Sequence, residues 1–273
     1  MLLAIEVGNT TTVIAVATDD DGWSPSWRLV SDRNLTADDW SAKVGALAAA
    51  AGLDLGDIES VVVSSVVPAI STMLARWSVQ HLGRSPLMVS NLLDLGIVLD
   101  VETPNELGAD RICNAVAAWE WARGAAIVVD TGTATKIEAI SAYGIYLGGA
   151  IAVGLSLSLE ALASRAARLY SVPLEPSPRV IGKNTVDSVQ AGIVQGHAHM
   201  IEGLVASFRA ELGPVEHVFL TGGYSWIVAP LLPSVTAHLP QMTLDGLRSI
   251  HRRNRPDRPD AAGGRLTSST SAQ

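Results

Sequence analysis

The sequence predicts an α/β protein built from two related halves, and three observations carry that prediction. Short apolar segments rich in β-branched residues recur along the chain: MLLAIEV (residues 1–7), TTVIAVAT (11–18), SVVVSSVV (60–67) and AAIVVDTG (125–132). Between them lie stretches with helical spacing, such as ADDWSAKVGALAAAAG (37–52) and ADRICNAVAAWEWARG (109–124). Finally, one local pattern occurs twice: EVGNTTTVIAV (6–16) and DTGTATKIEAI (130–140) both run carboxylate, any residue, Gly, polar residue, Thr or Ala, Thr. An echo of this kind about one domain length apart is what an internal duplication leaves behind.

The first element is a hairpin, LLAIEVGNTTTVIAVAT, an apolar strand pair interrupted by a carboxylate, a glycine, an amide and three hydroxyls. Such a turn suits phosphate: glycine lets the backbone approach a ligand, N–H groups and Thr hydroxyls grip oxygens, and the carboxylate holds a metal or its waters. A hydroxyl-rich hairpin tip is the plainer reading of one copy; the second copy, AAIVVDTGTATKIEAIS, favours a pair of loops clamping a polyphosphate. Neither loop matches GxxxxGK[ST] or GxGxxG. After the second hairpin comes a further strand, IYLGGAIAVG (145–154), then a proline-rich connection, LYSVPLEPSPRV (169–180). GKNT (182–185) reads as a turn before a helix that begins near Val186, and VEHVFL (215–220) as a strand ending in the glycine turn TGG (221–223). After Asn254, RPDRPDAAGGRLTSSTSAQ has no apolar periodicity and reads as a disordered tail.

Composition narrows the function classes. The chain has 273 residues, 48% hydrophobic and 17% charged, enough for one or two domains with substantial cores. A formal charge of -8 with only one short basic cluster, RSIHRRNRPDR, argues against nucleic acid as the main partner and for a small molecule. The single cysteine, Cys113, reads as a small core residue in a reducing compartment. The N-terminal apolar run lacks a basic n-region and is broken by Glu6 and Asn9, so a soluble, cytoplasmic protein without a membrane partner is expected. The seven tryptophans are scattered and read as core or interface residues. His197 and His199 are two apart, which places them on different helical faces, with no acidic third ligand nearby, so they are read as structural.

The ordered series of EVGNT (6–10), GADR (108–111), DTGTAT (130–135), YLGGAIAVG (146–154), GKNT, TGG and LDGLRSIHRRN (244–254) resembles type III pantothenate kinases over nearly the whole chain. That resemblance implies two ribonuclease-H-like, actin-like ATPase domains with mixed sheets flanked by helices, spanning 1–115 and 116–254, with the tail at 255–273. It implies transfer of the ATP γ-phosphoryl group to pantothenate, the first step towards coenzyme A, by a homodimer using Mg2+ and a monovalent cation, K+ or NH4+. Carried over by position, Glu6, Val7, Gly8, Asn9, Thr10, Thr11, Thr12 and Val13 form the first phosphate loop, and Thr133 touches ATP from the second. Asp130 is the implied ligand of the monovalent cation, and Asp110 the implied general base. Val101, Gly108, Ala109, Asp110 and Arg111 surround pantothenate, and Thr185 reaches it across the dimer interface.

The residue types suit the chemistry independently. Phosphoryl transfer asks a protein to position an attacking oxygen and neutralise charge, so one carboxylate base, a cation and many hydroxyl or amide donors suffice. Arg111 offers a planar fork for a carboxylate. Without the other motifs, GADR would read as a helix start with Asp110 in a capping role. Against the family pattern, Glu6 and Glu138 stand for Asp, Thr131 for Phe, Lys136 for Thr and Val153 for Pro, and Val101 occupies an often aromatic position. An extra methylene at Glu6 moves the carboxylate by about 1 Å, enough to cost on the order of a hundredfold in rate. An active kinase and a catalytically weakened nucleotide-binding paralogue are therefore both carried forward, with an acetate or sugar kinase disfavoured by GADR and GKNT.

Overall fold

The computed structural model describes residues 1–17, 22–165 and 172–255; the tail beyond 255 and the first part of the proline-rich connection lie outside them. The expected strand-rich segments form two sheets. In the first, β1 (Leu2–Val7) pairs antiparallel with β2 (Thr11–Ala17), β2 antiparallel with β3 (Ser26–Val30), and β1 parallel with β4 (Ser60–Ser65), which pairs with β5 (Leu87–Met88). The order is β3-β2-β1-β4-β5. The second sheet comprises β6 (Val98–Leu99), β7 (Ala126–Thr131), β8 (Ala134–Ile140), β9 (Ile145–Val153), β10 (His217–Thr221) and β11 (Ala237–His238), in the order β11-β10-β7-β8-β9-β6. Read from β9 to β11 it repeats the arrangement of the first sheet: two antiparallel pairings, then two parallel ones. The echo seen in the sequence is therefore an echo of topology, with β1 and β7 in equivalent central places.

Helices cover the sheets. α1 (Ala37–Ala50) opens with a capping box, in which the Thr36 side chain accepts from the Asp39 N–H while the Asp39 carboxylate accepts from the Thr36 N–H. α2 (Pro68–Leu82) begins with a proline in its first turn and ends at Gly83 in the left-handed conformation. Trp40 of α1 and Trp77 of α2 meet edge to face at 6.2 Å beneath the first sheet, inside a core with Leu3, Ile5, Ile14 and Val63.

The centre of the molecule is α3 (Ala109–Ala122), which serves both halves. Ile112, Cys113 and Val116 join a core with Ala4, Ala15 and Val62 of the first sheet, whereas Ala115, Ala117 and Ala118 join one with Ala126, Val128 and Ile140 of the second. The expected division at residue 115 thus falls inside the helix that joins the halves. Cys113 is buried, as expected of a core residue. Beyond α3 follow α4 (Leu155–Arg165), α5 (Thr185–Gln190), α6 (Gly196–Leu212), the short α7 (Ser225–Val228) and α8 (Met242–Arg253). α8 returns to pack on α3 with Leu244, Leu247 and Ile250 in the first half's core. The crossing is close because Gly246 has no side chain: a Cβ there would lie 2.0 Å from the Cys113 carbonyl oxygen. Among the described residues, no helix is long and apolar enough to cross a membrane.

Candidate active site

Both hairpin turns sit at equivalent ends of the central strands and face each other. The ladder closes at Val7 opposite Thr12 in the first and at Thr131 opposite Thr135 in the second. Each turn is tightened through its glycine, with the Gly8 N–H donating to the Thr11 carbonyl at 2.9 Å and the Gly132 N–H to the Ala134 carbonyl at 3.1 Å. The tips touch: the Thr10 and Thr133 hydroxyls lie 3.0 Å apart and exposed. Ser31 braces the first turn by donating to the Gly8 carbonyl at 2.7 Å. The TGG turn braces the second. Gly222 adopts φ +98, and a Cβ there would fall 2.5 Å from Asp130 Oδ1 and 2.6 Å from the Thr131 nitrogen.

Beneath the tips is a cluster of charges. Asp130 on β7 stands opposite Lys136 on β8, and side chains opposite one another in an antiparallel pair share a face. Asp110 enters from the first turn of α3. The Lys136 ammonium lies 2.6 Å from Asp130 Oδ2 and 2.6 Å from Asp110 Oδ2, with its side chain 14% exposed. Burial alone would lower the Lys136 pKa, but Asp130 and Asp110 together outweigh it and hold it above the ordinary lysine value. Asp130 Oδ2 also accepts from the buried Asn114 amide at 3.3 Å, and Asn114 in turn accepts from the Thr243 hydroxyl of α8 at 2.9 Å. Glu6, on β1, faces the same space. Desolvation, then repulsion from Asp130 and Asp110, pushes its pKa up from 4.5 to about 7.

A second charged pair backs the first. Lys136 and Glu138 are two residues apart on β8 and so point the same way. Glu138 is fully buried and accepts from Arg111 Nε at 2.5 Å and from the Tyr146 hydroxyl at 3.1 Å, while Arg111 Nη2 donates to the Tyr146 oxygen at 2.7 Å. The other Glu138 oxygen has no hydrogen-bond partner among the described residues. Desolvation dominates its titration and, against the opposing pull of Arg111, raises the pKa to about 7. Two of the five Arg111 N–H donors are engaged, which leaves the end-on pair of the fork able to take a carboxylate.

Of the residues picked out in the sequence, Glu6, Gly8, Thr10, Asp110, Arg111, Asp130 and Thr133 are gathered at this cleft. Thr12 is buried and bonds Ser31 at 2.8 Å, so it supports the loop from behind. Asn9 is exposed and accepts from Arg33 at 3.5 Å. Val7 is core, and Val101 packs with the second half's core. Thr185 is elsewhere: Asn184 caps α5, and Gly182 to Thr185 line an open cavity of about 610 Å³ whose walls include none of the cleft carboxylates. The helix after GKNT begins at Thr185, one residue before the expected start. His197 is buried and shares a hydrogen bond of 2.8 Å with the Thr135 hydroxyl, and among the described residues no group of His, Cys, Asp and Glu side chains is placed to hold a metal by itself.

Sequence reasoning missed Arg28, whose charge acts on Glu6 from β3 and whose guanidinium lies 3.3 Å from where a Cβ on Gly223 would be. It also missed the Asn114–Thr243 brace, and it placed Tyr146 only as the first residue of YLGGAIAVG, with no role in the cleft. The Lys136–Asp130 pairing had a signal, because both residues are three positions from the turn centre at Thr133.

The donor set can be tested against the implied cations. A divalent ion carried with nucleotide phosphates fits beside Glu6, where desolvation and then repulsion from two carboxylates disfavour ionisation and a dication would oppose both. A monovalent ion bound to Asp130 does not fit, because the Lys136 ammonium already sits against that carboxylate and against Asp110.

A family model described as type III pantothenate kinase matches residues 2–207. The type III pantothenate kinase of Thermomicrobium roseum is 42% identical over 253 residues, covering 93% of this chain and 97% of that protein. That of Moorella thermoacetica is 43% identical over 254 residues, covering 93% and 100%. Among solved structures, component A of the (R)-2-hydroxyglutaryl-CoA dehydratase of Acidaminococcus fermentans aligns with a TM-score of 0.52 at 15% identity, covering 91% of this chain and 95% of that one. The activator of the 2-hydroxyisocaproyl-CoA dehydratase from Clostridium difficile, solved with bound ADPNP, aligns at 0.53 and 15% identity, covering 91% and 92%. At those identities the structures show a shared fold.

Proposed function

The chain belongs to the type III pantothenate kinase family, and from that premise we propose that it transfers the γ-phosphoryl group of ATP to the primary hydroxyl of pantothenate, giving 4'-phosphopantothenate for coenzyme A synthesis. The observation that carries this reading is the meeting of the two turns at Thr10 and Thr133 directly over Asp110 and Asp130. Phosphoryl transfer depends on alignment and charge compensation, and these side chains offer both. Gly8, Asn9, Thr10 and Thr11 on one side and Thr133 on the other would hold the phosphates through N–H groups and hydroxyls. Glu6 would hold magnesium or its water, and bound magnesium supplies neutralisation of the phosphate charge. Arg28, exposed on β3, adds a positive charge that acts on Glu6.

Asp110 would accept the proton of the pantothenate hydroxyl as that oxygen attacks phosphorus. A loose transition state develops little nucleophile charge before proton transfer and asks little of the base. The free edge of Arg111 would orient the pantothenate carboxylate, with Gly108, Ala109 and Val101 as neighbouring walls. We further propose a cytoplasmic homodimer. Leu147, Ile151 and Val153 leave an exposed apolar row on β9, and Thr185 would enter the partner's site from its own cavity.

Purified protein should phosphorylate pantothenate with MgATP, and Asp110→Asn should lower kcat by roughly 10²- to 10⁴-fold with nucleotide affinity retained. One observation favours a second reading, a nucleotide-binding paralogue with weakened transfer: both Asp110 oxygens already accept hydrogen bonds, from Lys136 and from the Arg111 N–H. ATP binding by calorimetry without any phosphorylated product would support that alternative.

A further inference from the structure

We propose that Lys136 is the resident monovalent cation of the cleft, a tethered ammonium that holds Asp110 and Asp130 together and frees the reaction from any ion drawn from solution. The inference rests on the kinase reading for its consequence, but its geometry stands on its own.

Three carboxyl groups, Glu6, Asp110 and Asp130, converge on the space below the two turns from three different elements, β1, α3 and β7. A cation is required to keep Asp110 and Asp130 close, since like charges in a partly desolvated site repel strongly. Lys136 meets that need with equal contacts of 2.6 Å to each. Its ammonium presents three donors on a compact charge, one fewer than a free ammonium ion because the fourth valence is the tether. The tether removes the entropy of capturing an ion, so occupancy does not depend on concentration.

The surroundings are built to fix that ammonium. Asp130 is held by the Asn114 amide and thereby by Thr243, and Gly222 is the only kind of residue that leaves room beside Asp130 Oδ1. The equivalent position in the first hairpin is Val13, directly opposite Glu6. The two halves therefore differ at one matched site: an apolar residue faces the carboxylate in the first, a cation in the second. Giving Glu6 an apolar strand partner and Asp130 a charged one assigns the two carboxylates different tasks. Glu6 is left for a cation that arrives with the nucleotide, while Asp130 is ion-paired with Lys136. Lys136 is thus a positioning residue for Asp110 and touches neither reacting atom.

The test has an activity arm and a binding arm. In the activity arm, pantothenate phosphorylation by the parent protein is measured in sodium, potassium, ammonium and choline chlorides at one ionic strength, and should be the same in all four. Lys136→Ala should lose roughly a hundredfold in kcat in choline and recover much of it in ammonium or potassium. Lys136→Met, which keeps the stem and fills the space, should lose the same activity and recover none. In the binding arm, thermal unfolding without substrates is followed in the same salts. Lys136→Ala should be selectively stabilised by ammonium and potassium, and the parent and Lys136→Met should not. The binding arm separates this proposal from the kinase reading, since selective ion binding by Lys136→Ala in a protein that makes no product would leave the cation assignment standing. Potassium stimulation of the parent protein would overturn the assignment, and that measurement needs no variant. So would a Lys136→Ala variant fully active in choline, or one indifferent to all four salts in both arms.

Discussion

The most exacting consequence of the cleft's electrostatics concerns Glu6. Its pKa stands at about 7 against an ordinary 4.5, because desolvation and the charges of Asp130 and Asp110 oppose its ionisation. A carboxyl whose folded pKa is raised binds its proton more tightly in the folded state. Stability therefore falls as pH rises from 4.5 towards 7, and the loss is complete above that window. A displacement of this size corresponds to roughly 3 kcal/mol, reduced to about 2 kcal/mol by solvent screening at a partly exposed side chain. Glu6→Gln removes the titration while keeping size and hydrogen-bonding capacity. Compared with the parent in thermal unfolding without nucleotide, the variant should be nearly equal at about pH 5 and more stable by about 2 kcal/mol at about pH 8, a difference of roughly 4–8 °C in Tm. Magnesium and ATP should shrink the gap, because a dication beside Glu6 favours the ionised form. Unfolding profiles that stay parallel across the whole pH range would refute the assignment of a strained, proton-holding carboxyl at this position.

Two other perturbations test the frame around the site. Arg111→Gln leaves Glu138 buried and without its cation, which should cost about 3–5 kcal/mol in denaturant unfolding, while Arg111→Gln combined with Glu138→Gln should recover most of that loss. Gly246→Ala places a methyl where the Cys113 carbonyl is 2.0 Å away, so α8 must withdraw from α3; a stability loss of about 1–3 kcal/mol and a lower Tm are expected.

Much of this architecture is legible in the sequence because it is local. Strand pairs such as β1–β2 and β7–β8 announce themselves by short β-branched apolar runs around a glycine turn, and the duplication shows in the repeated turn pattern. α3 is legible as a helix, but its role in both cores is not. Ile112 and Ala115 read alike in a sequence, and only the placement of the two sheets decides which faces which. The same holds for α8, whose closeness to α3 depends on a single glycine meeting a backbone carbonyl more than a hundred residues away. Around the candidate site, residues carried by short motifs are legible, whereas nothing near Arg28 marks it as chemical and Tyr146 shows only as the first residue of YLGGAIAVG, without a role of its own. They matter through partners on other strands, with Arg28 acting on Glu6 and Tyr146 joining Arg111 to Glu138.

Two of the residues expected to depart from the family pattern, Lys136 and Glu138, are not independent of each other. Lys136 and Glu138 lie on one face of one strand and each meets a charge from the GADR turn, Lys136 with Asp110 and Glu138 with Arg111. Decay of an abandoned site would leave unpaired charges in a low-dielectric interior, at several kcal/mol each, and such changes are the first to be lost to destabilisation. Here the added ammonium is shared by two carboxylates, and the longer carboxylate of Glu138 reaches both a guanidinium and a phenol. The longer Glu6 is the exception, with its charge opposed by the carboxylates around it. That is the expected condition of a group whose counter-charge arrives with a ligand. Lys136 and Glu138 each have a counter-charge within the protein, and the carboxylate that has the least is the one beside which the nucleotide's cation would sit.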